Sequence, residues 1–349
     1  MSESRKQGTE PIHEFTPKKK KLVRLLALNI GLGAILVGML LLFIMPSLKS
    51  GPHELPVGVV GQDAVARTEA VLNASDPEGY VVTGYDSAAA LDEAIHTREV
   101  MGGFDYSRAG ELRVAVASAG STAVSGTLTQ MGQEVAAQAQ LEPVVDDVVA
   151  LPAADKTGTG IGGLAFPLVF GGIVPVVAFR ALLAGHRSWI LGGIVIFSLV
   201  GGFIVSLVLQ ELFGSTEGVL WPVAGAMALG IAALAVPLSG LYEAFGSKGF
   251  TIAAASMMFV GNPFAGIATS SVWLPGAVAA VGQLLPPGAA GSLVRAVAYF
   301  DGNGGGQGFW TLSAWVALGI VLWGIAPLLQ TRSDKRAAGK APAAESIHA

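Results

Sequence analysis

The chain has 349 residues, of which 52% are hydrophobic and only 13% charged, with a formal net charge of −4. A soluble domain carries about twice that charged fraction, so the composition excludes an ordinary soluble enzyme and points to an integral membrane protein. There is no cysteine, which excludes disulfides, thiolate metal sites and cysteine nucleophiles together.

Residues 1–21 form a basic tail that ends in Lys18, Lys19, Lys20 and Lys21, and an apolar stretch over 22–45 follows at once. That stretch is too long for a typical signal-peptide core, and Pro46-Ser47-Leu48-Lys49-Ser50 lacks an Ala-x-Ala cleavage pattern. An uncleaved anchor helix is expected. The lysines mark the cytoplasmic side and suit anionic lipid headgroups, at about 1 kcal/mol per cation near the surface. Ile12 to Arg24 could also form an interfacial helix that docks a partner, broken or restarted at Pro17.

Residues 46–160 alternate in character and predict a small α/β domain. Strands are expected at Leu55–Val60, Tyr80–Tyr85, Val100–Tyr106, Glu111–Ala117 and Val144–Leu151. Helices are expected at Ala64–Leu72, Ala88–Arg98 and Ser121–Gln140, the last poor in large apolar residues and read as loosely packed or packed on a second copy. His53, Asp63, His96 and Asp105 have neither metal nor triad spacing and read as solvated surface groups, as do Asp146-Asp147.

A five-helix membrane block is expected over 161–330, with spans at 161–184, 188–210, 219–240, 250–272 and 310–330. With the anchor this makes six transmembrane helices. Arg180, Arg187, Lys248 and the tail residues Arg332, Lys335, Arg336 and Lys340 fall on the side of the lysine run. By the positive-inside rule both termini are cytoplasmic, the α/β domain is extracytoplasmic, and Trp221, Trp273 and Trp310 sit at the outer interface. No expected span has Asp, Glu, Lys or His in its middle, which argues against proton relays. Small pairs such as Ala34/Gly38 and Ala226/Gly230 would let helices approach closely, and Pro167, Pro175, Pro237 and Pro263 favour kinks.

Gly158-Thr-Gly160-Ile-Gly162-Gly163 spells G-x-G-x-x-G, but it lies between a tether and a membrane helix and reads as a flexible hinge. Gly246-Ser247-Lys248-Gly249 lacks the remaining phosphate-loop residues, so no ATPase is expected in this chain. Between the last two spans lie Gly261-Asn262-Pro263, Leu284-Leu285-Pro286-Pro287-Gly288 and Tyr299-Phe300-Asp301-Gly302. Residues 276–300 are too short or too polar to cross and are expected to be re-entrant or interfacial, with Asn262-Pro263 freeing carbonyls that need partners. Residues 331–349 are expected to be a disordered cytoplasmic tail.

These segments, with the opening Leu55-Pro56-Val57-Gly58-Val59-Val60-Gly61-Gln62-Asp63 and the layout of one helix, insert and five-helix block, resemble the phage-infection-protein-like branch of the type-2 ABC exporter permease superfamily. The resemblance implies a homodimeric or heterodimeric permease in a bacterial plasma membrane, worked by a separate ATPase subunit that holds the ATP. No cofactor is implied in this chain. The basic segment Lys18 to Lys21 would be the interface with lipid or partner, and Arg180, His186 and Arg187 the ATPase-coupling loop. Asn262, Pro263, Pro286, Pro287 and Asp301 would form the outer gate. The expected activity is export of a hydrophobic or amphipathic substrate, with no catalytic or metal site and no nucleic-acid partner. The rival expectation is a non-transporting scaffold or receptor whose outer domain binds an envelope component, a secreted protein or a phage.

Overall fold

The computed structural model describes residues 17–48 and 51–338. The chain is mainly helical and carries one small sheet. The first helix, α1 (Pro17–Leu48), forms a unit of its own. Pro17 is its first described residue. Lys19, Lys20 and Lys21 are exposed on its first turns; the side chain of Lys18, and residues 12–16 of the interfacial-helix expectation, lie outside what is described.

The α/β domain contains β1 (Leu55–Val60), α2 (Gln62–Ser75), β2 (Tyr80–Tyr85), α3 (Ala88–His96), β3 (Gly102–Asp105), β4 (Glu111–Val116), α4 (Thr122–Ala139) and β5 (Glu142–Asp147). The strand order is β2-β1-β3-β4-β5, parallel except where β3 meets β4. Period-two alternation assigns the faces. Leu55, Val57, Val59, Leu112, Val114 and Val116 pack with Leu72 of α2 and Leu128 and Val135 of α4. Val60 and Ala115 point the other way, to Leu91, Ala94 and Ile95 of α3. Gly58 and Gly103 are register partners under Leu91, where a side chain on either would collide with its neighbour.

Two expectations change here. The helix α4 needs no second copy to cover it, because Val124, Leu128, Met131, Val135 and Ala136 are buried on the sheet. Asp105 is not solvated: it is 1% exposed, and its carboxylate accepts from the Ser107 amide at 2.9 Å. Asp146 and Asp147 are exposed as expected, and each also has a partner, the first Arg113 Nε at 2.8 Å and the second the Ser118 amide at 2.9 Å.

The helical block contains α5 (Thr159–Gly162), α6 (Ala165–Leu182), α7 (Arg187–Leu207) with a π turn over Val208–Leu212, and α8 (Leu220–Ser256) with a π turn over Met257–Gly261. After a short 3-10 turn at Ser271–Trp273 come α9 (Gly276–Leu284), α10 (Pro286–Tyr299) and α11 (Gly306–Ala338). Five of the described helical segments are long and apolar enough to cross a membrane; the bent pair α9–α10 would make a sixth. The run 220–261 is too long for one crossing, since 42 residues of helix rise about 63 Å. Gly246 breaks it with φ 69° and ψ −161°, a left-handed-side conformation suited to glycine. The chain then folds back on itself: the Tyr242 and Phe250 rings lie 6.0 Å apart, and Ala254 shares a cluster with Val236. Its second arm ends at Gly261, well short of the expected 272, because Asn262-Pro263 stops the helix. At the other end α11 continues to Ala338, so 331–338 are helix rather than a disordered tail.

Close helix crossings are made by glycine. A Cβ on Gly319 of α11 would lie 2.5 Å from the Pro237 nitrogen, and one on Gly202 of α7 would lie 2.5 Å from the Ala228 nitrogen. The Ala226/Gly230 pair also serves this purpose, with Gly230 facing Ala290 of α10 at 2.8 Å from a virtual Cβ; Ala34 and Gly38 lie on α1.

Candidate functional site

Two regions gather the residues that chemistry would single out. The first lies at the end of the helical block away from the α/β domain. Arg180 at the end of α6 and Arg187 at the start of α7 both ion-pair with Glu243 of α8, the second through Nε at 2.6 Å. Arg180 stacks on the Tyr242 ring at 3.7 Å, and Arg187 on the Trp323 ring at 4.8 Å. Arg187 Nη2 also donates to the Trp323 carbonyl at 2.8 Å, and Gln330 Nε2 donates to the Glu243 carbonyl at 2.6 Å. Three helices are thereby joined through the carboxylate of a residue that is 7% exposed, and α11 is added through Arg187 and the Glu243 backbone carbonyl. A buried charge needs partners of this kind. Of the expected coupling trio, Arg180 and Arg187 converge on Glu243, while His186 stays exposed in the turn with its Nδ1 3.2 Å from the Ala184 carbonyl oxygen.

Sequence reasoning missed Glu243 because it fell in an expected turn between spans. Its signal was there: it is an acid placed among Arg180, Arg187 and Lys248, all assigned to one side.

The second region is the segment 261–305, under the α/β domain. The helix pair α9–α10 bends by 87° at Leu285, where Pro286 and Pro287 begin α10. Both prolines are buried, and Pro287 faces Gly261, 3.3 Å from a Cβ placed there. Asn262 is 8% exposed, and its Oδ1 is buried without a hydrogen-bond partner. Asn262, Pro263, Pro286 and Pro287 therefore lie along one junction. Asp301 does not join them: it sits exposed in a turn with φ 52°.

Four carbonyls beyond Asn262-Pro263 are met by donors from elsewhere in the chain, as backbone in an apolar setting requires. Gln283 Nε2 donates to the Ala265 carbonyl at 3.2 Å, and the buried Arg295 Nη2 to the Ile267 carbonyl at 2.6 Å. The α/β domain supplies two more donors: the Ser121 hydroxyl to the Thr269 carbonyl, and the Gly51 amide to the Trp273 carbonyl at 3.1 Å. The same Ser121 oxygen accepts from the Val124 amide as the cap of α4. Trp273 is not an interfacial ring; it is 9% exposed and packs into the α/β core, as Phe300 does on the α3 face. Arg98, 5.2 Å from the Phe300 ring centroid, is held below its ordinary pKa by burial.

The glycine run before α6 is a cap rather than a flexible hinge. Asp155 Oδ1 accepts from the Thr159 amide and Oδ2 from the Gly160 amide, both at 2.8 Å. Burial alone would raise the Asp155 carboxyl, but the Ser215 hydroxyl and the Gly160 and Thr159 amides hold it below its ordinary value. Gly160 is pressed on Ser215, leaving no room for a Cβ. Asp155, Ser215 and the π turn of α7 line a largely apolar cavity of about 580 Å³.

Among the described residues no group of three His, Asp or Glu side chains could hold a metal ion. No protein-family model, curated protein or solved structure matches the chain.

Proposed function

We propose that this chain is the membrane permease subunit of a type-2 ABC-like exporter, moving a hydrophobic or amphipathic substrate with energy from a separate ATPase. The supporting observation is the α9–α10 pair, broken by 87° at buried prolines and tied to the α/β domain. Irregular backbone at membrane depth is tolerated where protein groups meet its carbonyls, as they do at Ala265, Ile267, Thr269 and Trp273 just before this pair, and such breaks line transport paths. In this reading α1, α6, α7, the two arms 220–245 and 247–261, and α11 are six spans. Both termini face the cytoplasm of a bacterial cell, the α/β domain lies outside, and two subunits assemble. The turn containing His186 meets the ATPase, with Arg180 and Arg187 holding that turn against Glu243 rather than touching the partner themselves.

The test is co-purification of the tagged full chain from its native membrane with an ATPase, followed by turnover measurements in nanodiscs. The expected outcome is ATP hydrolysis that rises when the permease is present and falls several-fold in Glu243→Gln. Hydrolysis indifferent to the permease would remove the transport reading. The engagement of Arg180 and Arg187 by Glu243 favours the rival, a scaffold whose outer domain binds an envelope component, because it occupies the cations of the coupling loop. That rival expects deletion of the α/β domain to abolish the phenotype while Glu243→Gln has no effect.

A further inference from the structure

The sheet of the α/β domain has two edges, and only one of them is guarded. At the β5 edge the Glu142 and Val148 amides turn inward, to the Gly110 carbonyl at 2.9 Å and the Val116 carbonyl at 2.8 Å. Alternation then turns Pro143, Val145 and Asp147 outward. Proline has no amide to offer a further strand, and the Asp147 carboxylate adds charge. Both devices keep an edge from pairing.

The β2 edge has neither. In the parallel register of β1 and β2, the Leu55 amide donates to the Gly79 carbonyl at 2.8 Å. Gly79, Val81, Thr83 and Tyr85 therefore turn toward β1, and the backbone groups of Tyr80, Val82 and Gly84 point away from the sheet. Among the described residues no turn, loop or cap bonds to those three. The strand from Tyr80 to Tyr85 contains no proline and no charged residue. Val81, on the face that carries α3, is 49% exposed. A row of unpaired amides and carbonyls with an open apolar side chain beside it is a template for one more strand.

Charge decides what that strand is. Asp76 and Glu78 precede β2 and Asp86 follows it, with Glu78 and Asp86 exposed. Residues 54–99 hold nine Asp or Glu against two arginines, Arg67 and Arg98, and Arg98 is stacked on Phe300. A second copy fits this edge poorly. Two β2 strands paired antiparallel about Val82 would set Glu78 opposite Asp86 at both ends, and like charges directly opposite are destabilising. Nine extended residues, at about 3.3 Å each, reach from one acidic end to the other.

We infer that the free edge of β2 binds an extended segment of a partner polypeptide, uncharged over about five residues and flanked at both ends by lysine or arginine. Backbone hydrogen bonds to Val82 and Gly84 supply affinity, and the flanking charges choose the partner. Neither an ATPase nor transport is needed for it.

The experiment uses the full chain in nanodiscs of phosphatidylcholine, with empty discs as the baseline. The probe is the fluorescein-labelled peptide Lys-Lys-Thr-Val-Thr-Val-Thr-Lys-Lys, its binding read by anisotropy at low salt. A second peptide has glutamate in place of lysine, and a third keeps the lysines but has its five central amides methylated. The lysine peptide should bind about tenfold more tightly than either. Val82→Pro removes an outward donor and no bond to β1, and should weaken the lysine peptide roughly fivefold to tenfold, as the loss of one hydrogen bond does. Glu78→Lys combined with Asp86→Lys should reverse the preference for lysine over glutamate. The inference is overturned if the lysine peptide does not bind, or if Val82→Pro leaves its affinity unchanged. Equal binding of the methylated peptide overturns it as well, and that comparison uses the unaltered protein, so it decides even where Val82→Pro fails to fold. With no cysteine in the chain, Val82→Cys gives a unique thiol; a disulfide-linked dimer that excludes the peptide would assign the edge to a second copy instead.

Discussion

Glu243 illustrates how much one side chain can organise. Two guanidiniums on separate helices converge on it, and Gln330 of a further helix donates to its carbonyl. Removing the carboxylate leaves two positive charges at close range with no counter-ion, and breaking a buried pair in this way costs about 3–5 kcal/mol. Glu243→Ala should therefore lower the thermal unfolding midpoint in detergent markedly. Arg187→Ala should cost less, because the Arg187 side chain is 35% exposed against 17% for Arg180 and a more solvated charge is worth less to its partner. A midpoint unchanged by Glu243→Ala would mean that the network contributes nothing to stability. These partners lie 63 positions apart in sequence for Arg180 and Glu243, so no local pattern announces them. Their signs and their shared side of the membrane were readable, but the meeting was not.

At the scale of elements, stability rests on helix surfaces that touch through backbone. The Gly319 and Gly240 sites bring α11 and α8 together so closely that a virtual Cβ on Gly240 falls 2.7 Å from the Gly319 carbonyl oxygen. Gly319→Ala should push the helices apart and destabilise the block by about 1–3 kcal/mol, as overpacking does. Gly192→Ala on α7 meets nothing within 4 Å and should be neutral or slightly stabilising, since alanine favours helix over glycine by about 1 kcal/mol. Unfolding midpoints of the two variants, measured side by side, test this; equal midpoints would contradict it. The pattern of strands and helices in the α/β domain was legible because alternation is local: β1, β2 and β4 begin where expected and α4 lies within one residue of its expected bounds. The hairpin in α8 was half legible. Gly246 and Lys248 marked a turn, but the long helical arms on either side of it depend on packing between Tyr242, Phe250 and Ala254 that only the folded chain shows. Asp155 was overlooked although an acid just before a glycine-rich helix start is a readable cap signal.

For the whole molecule, the arrangement of charge along the chain supports the proposed orientation, which labelling can test. With no cysteine present, Ser107→Cys in the α/β domain and Ser333→Cys near the far end of α11 each give a unique thiol. A membrane-impermeant maleimide on intact cells should label the first and spare the second, and both should react after lysis. The reverse pattern would invert the proposed orientation and move the Arg180–Glu243–Arg187 network to the outer face. Composition made the membrane reading legible at once. The candidate gate was legible as breaks, at Asn262-Pro263 and Pro286-Pro287, yet the donors that make those breaks tolerable come from Ser121, Gly51, Gln283 and Arg295, scattered over the chain.

The burial of Trp273 and Phe300 in the two faces of the α/β domain sets an order of events during synthesis. Strands and helices of that domain leave the ribosome early, but two aromatic side chains that complete its core arrive only after most of the membrane helices have been made. Until then the domain waits with apolar surface uncovered, a state open to association with other chains. It closes when the residues between Gly261 and Gly306 reach it. The α/β domain is thus begun before the helical block and finished nearly last, and its completion reports that the helices packed against it are in place.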